Sequence, residues 1–238
     1  MSSMSSSHDN QKRPPPLPDR FFDYYTAAPR IGDDPALHSG RSRQVGHHEG
    51  QWPVHVYVEW IVRDDDLMAE LDNVVPPGCL SLVVSPLGAE LPLHLSLSAP
   101  LVLASDHARD AFVDAVTAAV ANAGAPASFT VTFSHAEWVT NSDRSRLFFT
   151  LRANQNPQLH TLLAACNQVC ADSDLPTLPD AFHVSLAWKL PYKEPHEQAD
   201  EFDRSAIDRL LPELAFQVDT VKLKVGKKVV RIALVPTL

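Results

Sequence analysis

The chain has 238 residues, 20 Lys or Arg against 29 Asp or Glu, a formal net charge of −9 and 45% hydrophobic residues. The length predicts one domain or two merged lobes, the apolar fraction excludes a wholly disordered chain, and no run of about 18 apolar residues is present to span a membrane as a helix. The overall acidity argues against non-specific nucleic-acid binding through bulk charge. Three cysteines (Cys79, Cys166, Cys170) predict a reducing intracellular compartment rather than a disulfide framework. The Ser-rich segment Met1–Asn10 lacks the apolar core of a secretory signal.

Residues 1–44, with Pro14-Pro15-Pro16-Leu17-Pro18 inside a Ser- and charge-rich stretch, read as a disordered tail. Residues 45–238 are expected to form a single folded domain. Val54, Val56 and Val58 alternate within Trp52–Trp60 and predict a strand. Asp64-Asp65-Asp66 caps a short helix near Leu67–Val74. Strands follow at Leu80–Val84 and Leu93–Ser98. A helix from Ser105-Asp106 carries Phe112, Val116 and Val120 at helical spacing and ends at Gly124. The second half repeats this order: strands at Phe129–Phe133 and Arg146–Leu151, a helix over Pro157–Ala171 with Leu159, Leu162, Leu163, Cys166, Val169 and Cys170 inward, and a strand at Phe182–Trp188. A helix near Asp203–Leu211 and strands at Phe216–Lys224 and Lys228–Val235 complete it. The class is α+β with antiparallel sheets and flanking helices.

Charge is unevenly spread. Seven acids and two bases lie between Glu194 and Glu213, whereas five bases and one acid lie between Asp219 and Leu238. The C-terminal bases either steer an RNA end into a groove or form a solvated edge hairpin protected by Lys; the second is the simpler reading.

Two strands carry the chemistry: His94-Leu95-Ser96-Leu97 and His183-Val184-Ser185-Leu186. Residues i and i+2 share a strand face, so each strand presents an imidazole and a hydroxyl, backed by apolar residues. Chance alone supplies roughly one His-x-Ser/Thr in a chain with 11 His. Two copies in strands, with apolar residues between and after, occupying equivalent places in the two halves, are more specific. Facing each other, the pairs would suit phosphodiester chemistry. One imidazole accepts a proton from a nucleophilic hydroxyl, the other protonates the leaving oxygen, and the Ser hydroxyls donate to non-bridging phosphate oxygens. This scheme needs no metal, and His47-His48 with His55 lack the carboxylate or Cys that would complete a ligand set. No cofactor is expected.

The set of motifs resembles the U6 snRNA phosphodiesterase family of the two-histidine phosphoesterases: Gly40-Arg41-Ser42-Arg43, His48–Trp52, His55-Val56-Tyr57-Val58, His94–Ser98, Thr140-Asn141 with Arg146, Phe182–Trp188 and Lys224-Val225-Gly226-Lys227. The resemblance spans about residues 40–238. It implies that the domain is bilobal, with two pseudo-symmetric antiparallel sheets around a central groove. It also implies a nuclear, metal-independent 3′-to-5′ RNA exonuclease that trims the oligouridine end of U6 snRNA and leaves a 2′,3′-cyclic phosphate, which some fungal relatives open to a monophosphate. By the same resemblance His94 and His183 are catalytic, Ser96 and Ser185 bind phosphate, Ser142 borders the terminal nucleotide, and Ala181 offers backbone groups. The expected partner is an RNA 3′ end, with neither DNA nor membrane involved and the protein a monomer. Thr177 stands where the family can carry a base-stacking aromatic, so the uridine preference is expected either to be weaker or to come from Trp188 or Tyr192, each of which reads more simply as a packing residue. Alternatives from the same residues are a 2′,3′-cyclic phosphodiesterase of the nucleotide or tRNA-processing type, and a catalytically silent RNA-binding module.

Overall fold

The computed structural model describes residues 18, 21–24, 50–123, 127–191 and 202–234. In chain order these form α1 (Phe21–Tyr24), β1 (Trp52–Trp60), α2 (Asp65–Asn73), β2 (Leu80–Ser81), β3 (Leu93–Ser96), β4 (Leu101–Leu103), α3 (Asp106–Asn122), β5 (Phe129–Thr140), β6 (Leu147–Ala153), α4 (Pro157–Asp172), β7 (His183–Lys189), α5 (Arg204–Leu210) with a following 3-10 turn, β8 (Ala215–Val218), β9 (Thr220–Val225) and β10 (Lys228–Ala233). The fold is α+β and its strand pairings are antiparallel.

The strands run in the order β10-β9-β1-β3-β7-β6-β5-β8, with β4 beside β1 and β2 beside β7. Each half contributes four strands to this path. The halves meet at the β3–β7 seam, where Leu95 pairs with Val184, so the two expected sheets join along their inner edges. On the core side Trp60 of the first half stacks on Phe133 and Phe216 of the second, at 5.3 and 5.4 Å between centroids. Helices α3 and α4 pack together within the same hydrophobic cluster. The predicted inward face of α4 is buried from Leu159 to Cys170.

Local chemistry explains the helix starts. Asp64 accepts from the Asp66 and Leu67 amides, Ser105 from Ala108, and Asn156 from Gln158 and Leu159 with Pro157 opening the helix. Gly226 turns the β9–β10 hairpin at φ 58°, and a Cβ there would meet the Trp52 ring at 3.3 Å, so both conformation and space require glycine.

Several expectations change. Strand pairing beyond Ser81 shrinks to an isolated bridge, Val84 to Glu90, and β4 was not foreseen. Strand β5 continues to Thr140 through an irregularity between Phe133 and His135. The strand expected over Phe216–Lys224 is two: β8 pairs with β5 and β9 with β1, so the chain crosses between the halves at Asp219. Within the segment read as a tail, Phe21–Tyr24 forms a helical turn whose Asp23 is buried. Gly124 and the rest of residues 1–44 lie outside the described residues.

Candidate active site

Leu93, Leu95, Val184 and Leu186 are buried to within 1% of full burial, which turns His94, Ser96, His183 and Ser185 to the opposite face of the sheet. The pairing of Leu95 with Val184 sets His94 opposite Ser185 and Ser96 opposite His183. The two histidines are thereby diagonal neighbours, with backbones roughly 7–8 Å apart, a spacing that lets two side chains flank one phosphate. The pairs stand side by side on one surface rather than confronting each other across a gap.

The His183 ring is fixed by what precedes it. Its Nδ1 lies 3.0 Å from the Ala181 carbonyl, which can only accept, so Nδ1 carries the proton and Nε2 is left for chemistry. The Ala181 amide donates to Pro179 at 2.8 Å. Both backbone groups of Ala181 are therefore engaged, and the residue orients His183 instead of presenting free groups to a substrate. Asn167 of α4 holds the approaching loop, donating to the Leu178 carbonyl and accepting from its amide, each at 2.9 Å.

Burial lowers the His183 pKa, and Arg152, its partner across β6, adds to the fall; the Ala181 carbonyl and Glu137 oppose it. His94 is exposed to solvent on this face. Desolvation, then His183 and Lys224, lower its pKa to about 4. Both imidazoles are neutral at pH 7 before any anion arrives.

Strand β1 supplies residues not foreseen as part of the site. While Val54, Val56 and Val58 face the core, His55 and Tyr57 face the same side as His94. His55 Nε2 lies 2.9 Å from Ser96 Oγ. Its ring stacks on Tyr57 at 5.2 Å and meets His94 edge-on at 5.4 Å. Tyr57 also meets His94 edge-on, at 5.6 Å. Burial, with Glu59 and Asp23, pushes the Tyr57 phenol up, so it stays protonated. The sequence signal was there: the polar phase of the same alternation that identified the strand.

Strand β9 brings Lys222 opposite Tyr57 and Lys224 opposite His55. Lys222 is 3% exposed and donates to Asp23 at 2.6 Å and Glu59 at 2.5 Å, while Arg231 reaches Asp23 at 2.9 Å. The solvated-hairpin reading therefore holds for the exposed Lys227 and Lys228 but fails for Lys222. Lys224 is half-buried, its pKa lowered by desolvation, and no carboxylate among the described residues pairs with it. One lysine of this face is paired with two carboxylates, and the other stands opposite His55 with none among the described residues.

Other expected residues lie elsewhere. Ser142 is exposed in the β5–β6 turn, beyond the Leu147–Lys189 pair, which stands roughly 13 Å along β7 from Ser185; the structure does not bring it to the histidines. Ser98, the last residue of the His94–Ser98 motif, is 1% exposed, accepting from the Val56 amide and donating to the Ala99 carbonyl, so it serves the strand junction. Thr177 is exposed. Trp188 is half-buried with the Arg146 guanidinium 5.2 Å from its ring centroid. Tyr192, His47 and His48 lie outside the described residues. Among the described residues no three His, Cys, Asp or Glu side chains converge as metal ligands.

A family described as "HVSL: Uncharacterised conserved protein" matches residues 15–233. The U6 snRNA phosphodiesterase 1 of Neurospora crassa is 34% identical, over 92% of this chain and 74% of its own length. The Drosophila melanogaster protein of that name is 30% identical, over 90% and 79%. Among solved structures, Kluyveromyces marxianus Usb1 superposes with a TM-score of 0.65 at 18% identity, covering 76% of this chain and 98% of that one; its structure with uridine monophosphate gives 0.62.

Proposed function

Because the chain belongs to the U6 snRNA phosphodiesterase family of two-histidine phosphoesterases, we propose that it is an RNA phosphodiesterase that shortens the oligouridine 3′ end of U6 snRNA one nucleotide at a time. The observation that carries this is the β3–β7 register, with two imidazole–hydroxyl pairs on one face. The relatives named U6 snRNA phosphodiesterase 1 supply the substrate, which gives the protein a nuclear workplace. It acts there as a monomer.

In the proposed reaction the penultimate 2′-hydroxyl attacks the terminal phosphodiester. The O2′–P bond forms, the P–O5′ bond breaks, and the shortened RNA ends in a 2′,3′-cyclic phosphate. His94 takes the 2′-hydroxyl proton, and His183, protonated, gives a proton to the departing O5′. This division is supported by the surroundings. Against the cation Arg152, His183 has the Ala181 carbonyl and Glu137 to favour its charged form, whereas His94 has His183 and Lys224 as charged neighbours, and both lower its pKa. A phosphate between the rings raises both pKa values, so a proton is taken up with the substrate. Ser96 and Ser185 donate to the non-bridging oxygens, and Lys224 adds positive charge.

The test uses oligouridine in EDTA, with end analysis. Stepwise loss from the 3′ end is expected. His94→Gln and His183→Gln should abolish it, and a 2′-deoxy sugar at the penultimate nucleotide should block it. Near-normal rates in either variant reject the assignment. A 5′-thio leaving group needs no acid, so it should rescue His183→Gln and not His94→Gln; the reverse pattern exchanges the roles.

A further inference from the structure

Ser96 is asked to donate to a phosphate, yet its oxygen is already in a hydrogen bond with His55. A hydroxyl has one proton. If His55 Nε2 accepts, the Ser96 proton is spent on the ring and only lone pairs face the incoming anion. If Nε2–H donates, Ser96 Oγ accepts and its proton is free for the phosphate. The tautomer of a residue on another strand therefore decides whether Ser96 attracts or repels substrate.

The surroundings favour the second arrangement. His55 holds a single N–H at pH 7, because burial, then His94 and Lys224, lower its pKa to about 3. Strand β1 lies between β3 and β9. With Nε2 committed to Ser96 on β3, Lys224 stands opposite His55 on the β9 flank, and a nearby ammonium favours a lone pair, not a proton, on the remaining Nδ1. The ring is wedged between its stack on Tyr57 and the edge contact with His94, which opposes a flip. Among the described residues Ser185 has no such brace, so the two otherwise matched hydroxyls differ.

We propose that His55 is a positioning residue: its Nε2–H holds Ser96 Oγ as an acceptor, so that the Ser96 proton points to a non-bridging phosphate oxygen. This rests on the reading of Ser96 as a phosphate donor. Its first test does not involve RNA. In the full chain labelled with 15N-histidine at pH 7, His55 should show a protonated Nε2 and an unprotonated Nδ1, its signals assigned by their loss in His55→Gln. The opposite tautomer overturns the proposal.

The second test is a double-mutant cycle on oligouridine. Ser96→Ala should lower kcat about 100-fold. His55→Leu should lower it at least tenfold with KM within twofold, but less than twofold further in the Ser96→Ala background. His55→Gln, whose amide can donate to the same oxygen, should recover most of the loss. Losses that multiply, or Gln no better than Leu, overturn the proposal. If His55→Leu does not fold, the tautomer decides. If the unaltered chain cleaves no RNA, the functional reading falls, and the tautomer alone still decides whether His55 orients Ser96.

Discussion

The proposed acid–base catalysis by His94 and His183 makes pH the most discriminating perturbation. The reactive form carries one proton on the pair, and the pair titrates in two macroscopic steps. In the free protein His94 is lowered from 6.5 to about 4, and His183 is also lowered from 6.5. Both steps therefore lie below pH 6.5, and kcat/KM, which reports the free protein, should peak on the acid side of 6.5. Above that, the singly protonated fraction falls tenfold per pH unit, so kcat/KM drops about 100-fold between pH 6.5 and 8.5. Bound RNA places an anion between the rings and raises the upper step, so the alkaline limb of kcat should sit at higher pH than that of kcat/KM. The assay is initial-rate trimming of a short fluorescent oligouridine, at constant ionic strength, from pH 4.5 to 9. A kcat/KM optimum above pH 7.5, or coincident alkaline limbs, would refute the reasoning.

Further outcomes follow from charges outside the pair. Lys222→Met leaves Glu59 buried without its cation and Asp23 with Arg231 alone; Glu59, whose pKa burial already raises, can take up a proton, so the loss should fall at the lower end for a broken buried pair, about 3 kcal/mol, or roughly 6–12 °C in Tm. A shift under 2 °C by calorimetry would count against that network. Lys224→Met should raise KM for RNA, with the slope of log affinity against log salt flattened by about 0.7, the value for one single-strand phosphate contact; an unchanged slope removes Lys224 from the RNA path. His55 and His94 have folded-state pKa values of about 3 and 4, below the unfolded 6.5. Below pH 6.5 the unfolded chain binds more protons, so stability should fall with pH from 6.5 down to about 4, by at most ~1.4 kcal/mol per unit for each histidine. Urea midpoints that stay level between pH 6.5 and 4.5 would contradict this.

Elements with an unbroken period were legible from the residues alone. The buried face of α4 follows 3.6-residue spacing, and the His-x-Ser strands follow alternation, because each pattern is local. Breaks in phase were harder to read. Buried positions run 216 and 218, then 221, 223 and 225, and this slip marks the β8–β9 break within one apparently continuous strand. The slip from Phe133 to Ala136 marks the irregularity in β5. What escaped at the site depended on distant partners. Lys222 looks like any surface lysine until Asp23, 199 residues away, closes on it. The orienting group at Ala181 is a backbone carbonyl, which side-chain identity does not reveal. His55 was visible as part of the His55-Val56-Tyr57-Val58 motif and of an incomplete metal-ligand set, but not as a partner of Ser96, since that bond requires knowing that β1 and β3 are neighbours.

The crossing at Asp219 has a consequence for how this protein is made. Strand β9 hydrogen-bonds β1 from Val54 to Val58, yet it leaves the ribosome after every imidazole and hydroxyl of the site. Until then the nascent chain holds β1 with one edge open, exposed to mispairing, and closure must wait for a contact of long sequence separation, the kind that folds slowly. A premature stop codon between Lys189 and Asp219 would thus yield a product with both His-x-Ser motifs intact and the first half of its sheet unfinished, so such an allele should behave as a null.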